Sequence, residues 1–597
     1  MIPVLTSVPR NITNPEMTAL YFPAEINGKT KWLPVSRAHF ADNVLALAAA
    51  LAEMGLGVQE SIGIFSENRP EILMTDFAAW QLRAFPVNIY ATSSFDQVKY
   101  IVENAEIKFI LVGNQTHYET ARKVGVKQII AADPAIQFDA DDNTSIHFAD
   151  LLARGAKATE ELTKEVTLRA GQCMPDDIAT LLYTSGTTGQ PKGAILTHGN
   201  FSAAIELNHQ RLTMLKAGDT SLCFLPLSHI FEMAWSCFCL TFSMPIYVNR
   251  DTSRIQQTLR EVAPNCMCAV PRFWEKVYTI VMEKIEAMGT ISRTMAKRAL
   301  AVGKRRNLEY VRMGLKVPAM LEREYQLYNG RIFRKLRAAI GVQNGKLFPT
   351  AGAPIATEIV EFCQSVGINM CIGYGLSEST ATVSCYPETE YAIGSVGTAL
   401  SGLKVRIGDN NEIQIKGPTI MAGYYKLPEA SAEAFTADGW LHTGDAGRID
   451  AQGNIFLTDR IKDLFKSSNG KYIAPQALES RLGADPIFEQ VAIIGDKRKF
   501  VSALIVPDFK ALAKFAADNH LGVMTREELA SNPKVNEYVM QKIEKLTADL
   551  AHHEQIKRFT LLTTPFSMER GELTNTLKVR RRVVIEHYAE LIDKMYE

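Results

Sequence analysis

Three absences narrow what this chain of 597 residues can be. No run of about 18 uncharged apolar residues occurs, so nothing in it reads as a membrane-spanning helix. The nine cysteines show no metal or disulfide spacing: Cys237 and Cys239, like Cys266 and Cys268, are separated by one residue, with no matching second pair and no histidines at zinc-finger distance. Reduced thiols are the expectation. Net charge is also lacking, since 65 Lys+Arg balance 65 Asp+Glu, which is unlike a nucleic-acid coat protein. The opening residues, MIPVLTSVPRNITNPEM, have neither the basic head nor the apolar run of a secretion signal. We expect a cytoplasmic protein without a nucleic-acid partner, at most peripheral on the inner face of a membrane.

What is present is ordinary globular composition, 47% hydrophobic and 22% charged, enough for more than one core. Helical spacing runs over residues 37–55 and is followed by strand 61–66, helix 71–83 and strand 85–90. The alternation repeats with helix 95–104, strand 108–113, helix 116–124 and strand 128–132. Such βαβ units predict an α/β fold around a largely parallel sheet, with ligands at the carboxyl ends of its strands. One segment breaks the charge balance: Lys276 to Lys346 holds 16 Lys+Arg against 5 Asp+Glu, with Lys304, Arg305 and Arg306 as its densest run. It reads either as a solvated helical insertion or as a surface for anionic lipid headgroups or a polyanionic cofactor.

The strongest local signal is IATLLYTSGTTGQPKGAILTHGN (178–200), a buried strand leading into Thr184, Ser185, Gly186, Thr187, Thr188 and Gly189, then Lys192. Glycines admit an anion close to the backbone, hydroxyls and amides donate to it, and a lysine adds charge. The run is not a Walker loop, because no G-x-x-x-x-G-K-[ST] is present. Five further motifs follow in order: TAGAPI (350–355), GYGLSEST (373–380), GWLHTGDAGRID (439–450), DRIKDLFKSSNGKYIAP (459–475) and GELTNTLKVRR (571–581). Read singly, Glu378 is a helix N-terminal acid or a hard oxygen ligand for Mg²⁺, Asp445 a turn residue or a ribose acceptor, and Lys578 one surface charge among 65.

Six motifs in register resemble the adenylate-forming superfamily, and most closely its long-chain fatty acid–CoA ligases. The resemblance implies a large multi-subdomain α/β N-terminal domain over 1–459, a hinge at 460–463 pivoting on Lys462, and a small mobile α+β C-terminal domain over 464–597. It places ATP on Thr184–Gly189, Lys192, Gly352, Ala353, Pro354, Tyr374, Gly375, Ser377, Asp445 and Arg460. Within that set the tyrosine lies against adenine, Ser377 on a phosphate, and Asp445 with Arg460 on the ribose. Glu378 is implied as the Mg²⁺ ligand, and Lys578 as the mobile lysine joining substrate carboxylate and α-phosphate. Asn575 stands where related long-chain enzymes commonly have proline. Lys466, Gly470 and His229 of FLPLSHIFEM (224–233) are implied in the thioester step, although a lone histidine after an apolar strand is more often structural.

The activity implied is conversion of a fatty acid to acyl-AMP by ATP, then to a thioester by coenzyme A. The alternatives are a fatty acyl-AMP ligase serving a carrier protein, an aryl or medium-chain ligase, and a nucleotide-binding regulator without catalysis. Retention of Glu378, Asp445, Arg460 and Lys578 speaks against the last, and the roughly 19 residues after Lys578 speak against a fused carrier domain.

Overall fold

The computed structural model describes residues 3–184, 190–461, 464–466, 472–574 and 578–597. The expected alternation is present, shifted by a residue or two. Helix Arg37–Glu53 leads to strand Ser61–Phe65, helix Pro70–Gln81 and strand Phe85–Ile89, and onward through Phe109–Val112 and Gln128–Ala131. These strands form a five-stranded sheet in which Phe85–Ile89 and Phe109–Val112 flank Ser61–Phe65, with Gln128–Ala131 and Ile146–His147 beyond. Every pairing is parallel. The strand order is doubly wound, and both faces are covered by helices, which is why the strands read as continuous apolar runs.

A second sheet begins with an antiparallel hairpin, Thr18–Ile26 against Lys29–Ser36. It continues in parallel through Ile246–Val248 and Ser221–Cys223. Isolated bridges Ser221↔Cys266, Cys266↔Leu347 and Ala269↔Thr350 splice it to the parallel pair Phe348–Thr350 and Met370–Tyr374. A three-stranded sheet (Ile178–Thr184, Lys192–Thr197, Gly423–Tyr424) and an antiparallel one (Lys404–Ile407, Glu412–Lys416, Leu441–Ile449, Ile455–Arg460) complete this part.

Residues beyond Arg460 build their own core. Strands Phe488–Ile494, Val501–Pro507 and Ile556–Leu561 form one sheet. Ile493, Ala503 and Ile505 face one apolar cluster, and Ala492, Ile494, Leu504 and Val506 face another on the opposite side. One carboxylate links this part to the preceding strand. Asp459 Oδ2 accepts from the N–H of Gln476 (3.0 Å) in the first turn of helix Pro475–Leu482, whose own N-cap, Ala474, makes no side-chain cap. A second link is Arg272 Nη2 donating to the Glu489 carbonyl (2.8 Å).

The basic segment is helical and has a buried inner face. Helix Thr290–Lys304 buries Ala296, Ala299 and Val302, and a Cβ at Gly303 would lie 2.2 Å from the Ser365 carbonyl oxygen, so two helices touch at backbone distance there. Lys304 pairs with Glu361 (2.6 Å), Arg306 with Glu322 (2.7 Å) and Arg305 with Glu309 (4.0 Å). The densest basic run is therefore spent on internal ion pairs. All nine cysteines are buried free thiols. Among the described residues no helix is long and apolar enough to cross a membrane.

Helix Pro70–Gln81 carries a fully buried carboxyl. Asp76 Oδ1 accepts from Asn88 Nδ2 (3.1 Å), and burial pushes its pKa up to about 8, with Asn88 only partly opposing. The folded chain thus keeps a proton that the unfolded chain loses above about pH 4, and this group's contribution to stability falls as pH rises from about 4 to about 8. The melting temperature of Asp76→Asn relative to wild type should accordingly move in the variant's favour between about pH 5 and about pH 8. Thermal melts of both proteins across that window check this, and a constant gap would contradict it.

Candidate active site

The loops that hold the motifs leave the carboxyl ends of adjacent strands. Phe348–Thr350 and Met370–Tyr374 lie side by side in parallel, so the exposed turn of Gly352, Ala353 and Pro354 neighbours the loop that starts at Gly375. Gly352 has φ +94°, a conformation that disfavours other side chains. A Cβ on Gly375 would lie 1.3 Å from the Ala381 carbonyl oxygen, so the loop returns directly across this glycine. It does so through Thr380 and Ala381 at φ +51° and +71°, two consecutive left-handed residues that are not glycine. Ser377 and Glu378 sit on the short 3₁₀ turn Ser377–Ser379 between them.

Lys192 and Glu378 are brought together by a residue the motifs did not indicate. Thr184 and Lys192 stand opposite each other on antiparallel strands, and Tyr424 lies on the strand next to them, opposite Ala194. The Lys192 ammonium is 5.1 Å from the Tyr424 ring centroid, and the Tyr424 hydroxyl donates to Glu378 Oε1 (3.0 Å). Burial, then the neighbouring carboxylate, pushes the Tyr424 phenol up, so it remains a donor. Among the described residues no group of three or more His, Cys, Asp or Glu could hold a metal alone. One partly exposed carboxylate suits Mg²⁺, which takes one or two carboxylates together with waters and substrate phosphates.

A second constellation lies at the end of Met370–Tyr374. The Tyr374 hydroxyl donates to Asp445 Oδ2 (2.7 Å), while Arg460 Nε is 3.5 Å from Asp445 Oδ1. Register places Asp445 opposite Arg460. Tyr374 is only 7% exposed, so most of its ring is covered by protein and its hydroxyl fixes the aspartate. Glu412, also absent from the motifs, holds this turn from behind: Oε1 accepts from the Gly444 N–H (3.0 Å) and Oε2 is 2.6 Å from His442 Nδ1.

His229 follows strand Ser221–Cys223 and caps helix Ile230–Thr241, its Nδ1 accepting from the Phe231 N–H (3.2 Å). That acceptor role leaves the proton on Nε2. Burial, and then the charge of Lys578, pushes the imidazole pKa down to about 4, so the ring is neutral at physiological pH. Two buried side chains fix the loop. Asn68 donates to the Leu225 carbonyl (2.7 Å) and accepts from the Leu227 N–H (2.8 Å), and Glu232 Oε2 accepts from the Leu225 N–H (3.2 Å). Burial pushes Glu232 up to about 8.

Lys578, from the C-terminal part, acts on His229 through its positive charge, which adds to burial in lowering the imidazole pKa. It pairs with Thr574: its carbonyl accepts from the Thr574 N–H (2.8 Å), and its own N–H donates to Thr574 Oγ1 (3.0 Å). Ser185, Gly186, Thr187, Thr188, Gly189, Lys462 and Gly470 lie outside the described residues, as does Asn575; the backbone of Lys466 is in strand Phe465–Lys466. Tyr424, Glu412 and Asn68 carry no local signal, since each acts on a motif residue distant in sequence. Glu232 lies inside FLPLSHIFEM and could have been weighed beside His229.

Comparison with known proteins identifies the family and the fold. The AMP-binding enzyme family matches residues 10–425, and the AMP-binding enzyme C-terminal domain matches 462–597. The chain is 30% identical over 575 residues to the long-chain-fatty-acid–CoA ligase FadD15 of Mycobacterium bovis, covering 95% of this chain and 92% of that one. It is 29% identical to long-chain-fatty-acid–CoA ligase 5 of Rattus norvegicus, covering 96% and 85%. Among solved structures, the A-PCP didomain of carboxylic acid reductase from Segniliparus rugosus in complex with AMP superposes with a TM-score of 0.75 at 20% identity, covering 99% and 81%. ATP-bound MatB from Rhodopseudomonas palustris gives 0.70 at 19%, covering 99% of each chain. These two share the fold, a large N-terminal domain with a smaller C-terminal one. With one family spanning residues 10–425 and its C-terminal companion taking up the chain from 462, this protein belongs to the AMP-binding enzymes.

Proposed function

We propose that this protein is a long-chain fatty acid–CoA ligase that works through acyl-AMP. The fatty acid carboxylate attacks the α-phosphorus of ATP and pyrophosphate leaves. The thiol of coenzyme A then attacks the acyl carbon and AMP leaves. The observation that carries the reading is the pair of groups Lys192–Tyr424–Glu378 and Tyr374–Asp445–Arg460, which meet on the one segment that holds both Tyr374 and Glu378.

Each group has a task its chemistry suits. Thr184 to Gly189 and Lys192 hold the phosphates, and the turn of Gly352, Ala353 and Pro354 borders the purine with Tyr374 and Gly375. Ser377 reaches a phosphate. Asp445 accepts from the ribose hydroxyls with its orientation fixed by Tyr374 and Arg460. Glu378 holds Mg²⁺, which when bound offsets phosphate charge. Lys578 places one ammonium between carboxylate and α-phosphate, where negative charge concentrates in the transition state. No side chain forms a covalent intermediate; the rate comes from positioning and charge. We place the division of domains at 459/460, with 460–463 as hinge. Lys466, Gly470 and the neutral His229 border the thiol's path.

Lys578→Ala should abolish acyl-AMP formation while leaving thioester formation from supplied acyl-AMP largely intact. Pyrophosphate release with a fatty-acid panel, with and without coenzyme A, reads the first step, and near wild-type release would remove the lysine from it. Acyl-AMP that persists despite coenzyme A would instead indicate a ligase serving a carrier protein. Lys462→Pro should spare adenylation and cripple thioester formation, because fixing φ near −65° blocks a hinge rotation. Equal loss of both steps would refute that pivot.

The basic segment supports docking on an anionic bilayer, where a long-chain acid partitions. Lys276, Lys284, Lys316, Arg323, Arg331, Arg334 and Lys335 are exposed, and no ion pair engages them among the described residues. Among the described residues, more than half of the exposed large apolar side chains also fall between Ile280 and Leu327, with Ile291 86% and Met320 84% open. Each basic residue at an anionic surface contributes about 1 kcal/mol, screened over about 8 Å. The protein should co-sediment with anionic but not neutral vesicles at low salt. Lys284→Glu, Lys316→Glu and Arg323→Glu together should weaken that without lowering turnover of a short soluble acid. Equal binding to neutral vesicles would return the segment to a solvated helical insertion.

A further inference from the structure

The turn that presents Lys578 is held at its base by a carboxylate with no part in the assignments above. Glu572 is 1% exposed. Its Oε2 accepts from the Ser567 N–H (3.0 Å) and from Arg570 Nε (3.0 Å) and Nη2 (2.7 Å), and its Oε1 is 3.1 Å from His587 Nδ1. Burial alone would raise its pKa; Arg570, His587 and the Ser567 N–H together hold it below the ordinary carboxylate range, so it is ionised in the fold. These partners come from the loop before the turn and from helix Arg581–His587 after it, so one carboxylate ties both flanks.

The backbone extends this tie to the lysine. The Glu572 carbonyl accepts from the Arg580 N–H (2.7 Å), Leu573 pairs with Val579, and Thr574 closes on Lys578. Leu573 is buried and Val579 packs beside it against a core that includes Ile494, Leu504 and Val506. Successive residues of an extended strand point to opposite faces, so Val579 facing inward turns Lys578 outward. Arg581 fixes the far side, donating to the Ile493 carbonyl (3.0 Å) and pairing with Glu479. Apolar packing sets which face the lysine takes.

We propose that Glu572 is the positioning residue for Lys578: through Ser567, Arg570 and His587 it fixes the turn so that the ammonium meets the carboxylate and α-phosphate in the first half-reaction. This rests on the reading of Lys578 given above. A lysine on a long flexible stem still depends on where its Cα is held, and a misplacement of about 1 Å can cost about a hundredfold in rate.

Glu572→Gln keeps an acceptor for the Ser567 N–H and removes the charge. In the full-length enzyme it should slow adenylation by about ten- to a hundredfold, while thioester formation from supplied acyl-AMP stays within about twofold. Added to Lys578→Ala, it should not lower the residual adenylation rate further, because a positioning residue has nothing left to position. His587 is substantially exposed, so His587→Gln offers a milder variant that should show the same split should Glu572→Gln fail to fold. Equal loss of both half-reactions, an unslowed Glu572→Gln, or an undiminished effect in the Lys578→Ala background would each overturn the proposal. Failure of the underlying reading looks different: Lys578→Ala would then itself keep near wild-type adenylation.

Discussion

The hydrogen bond from Tyr374 to Asp445 is the joint on which the rest of the site depends. It connects the end of a parallel strand in the large sheet to the antiparallel sheet that ends at Arg460, the last strand before the C-terminal domain. The aspartate and the buried tyrosine hydroxyl satisfy each other, and a buried phenol without a partner would be costly. Arg460 and Glu412 then set the remaining geometry, Arg460 at the carboxylate and Glu412 at the adjacent Gly444 N–H. The loop over Gly375 returns across that glycine through two strained residues, so its shape is imposed by the scaffold rather than by local preference. Positioning of this kind is what a reaction without a covalent enzyme intermediate requires.

Much of the fold was legible in the sequence. The apolar runs of SIGIF, FPVNI, FILV and QIIA are strands of one parallel sheet because each is covered on both faces, which leaves no alternation to confuse. The first hairpin, Thr18–Ile26 with Lys29–Ser36, was not anticipated, although Asn27-Gly28 between them is a strong turn signal and both residues take positive φ. Its mixed polar and apolar residues follow from its place at the end of the sheet, with Lys29–Ser36 as the edge strand. The helical insertion was visible as such, but its ion pairs were not, because Glu361 lies far from Lys304 in the chain.

The site divided in the same way. Motif residues such as Lys192, Glu378, Asp445 and Lys578 stood out because glycines and hydroxyls surround them in recognisable order. Their supports did not. Tyr424 bridges two motifs from a strand with no motif of its own, and Asn68 pins the His229 loop from the end of another sheet. A supporting group needs only reach and one correct atom, so many residue types and positions would serve, and no fixed spacing marks it.

Asp459 has a consequence for how the two parts of the chain hold together. A carboxylate on one side of the junction caps a helix on the other, and Ala474 offers that helix nothing in its place. Such a cap is worth about 1 kcal/mol, roughly a fivefold bias between two orientations that differ only in keeping it. One hydrogen bond, next to the arginine that faces Asp445, therefore favours every arrangement of the two parts that keeps this helix capped over those that uncap it.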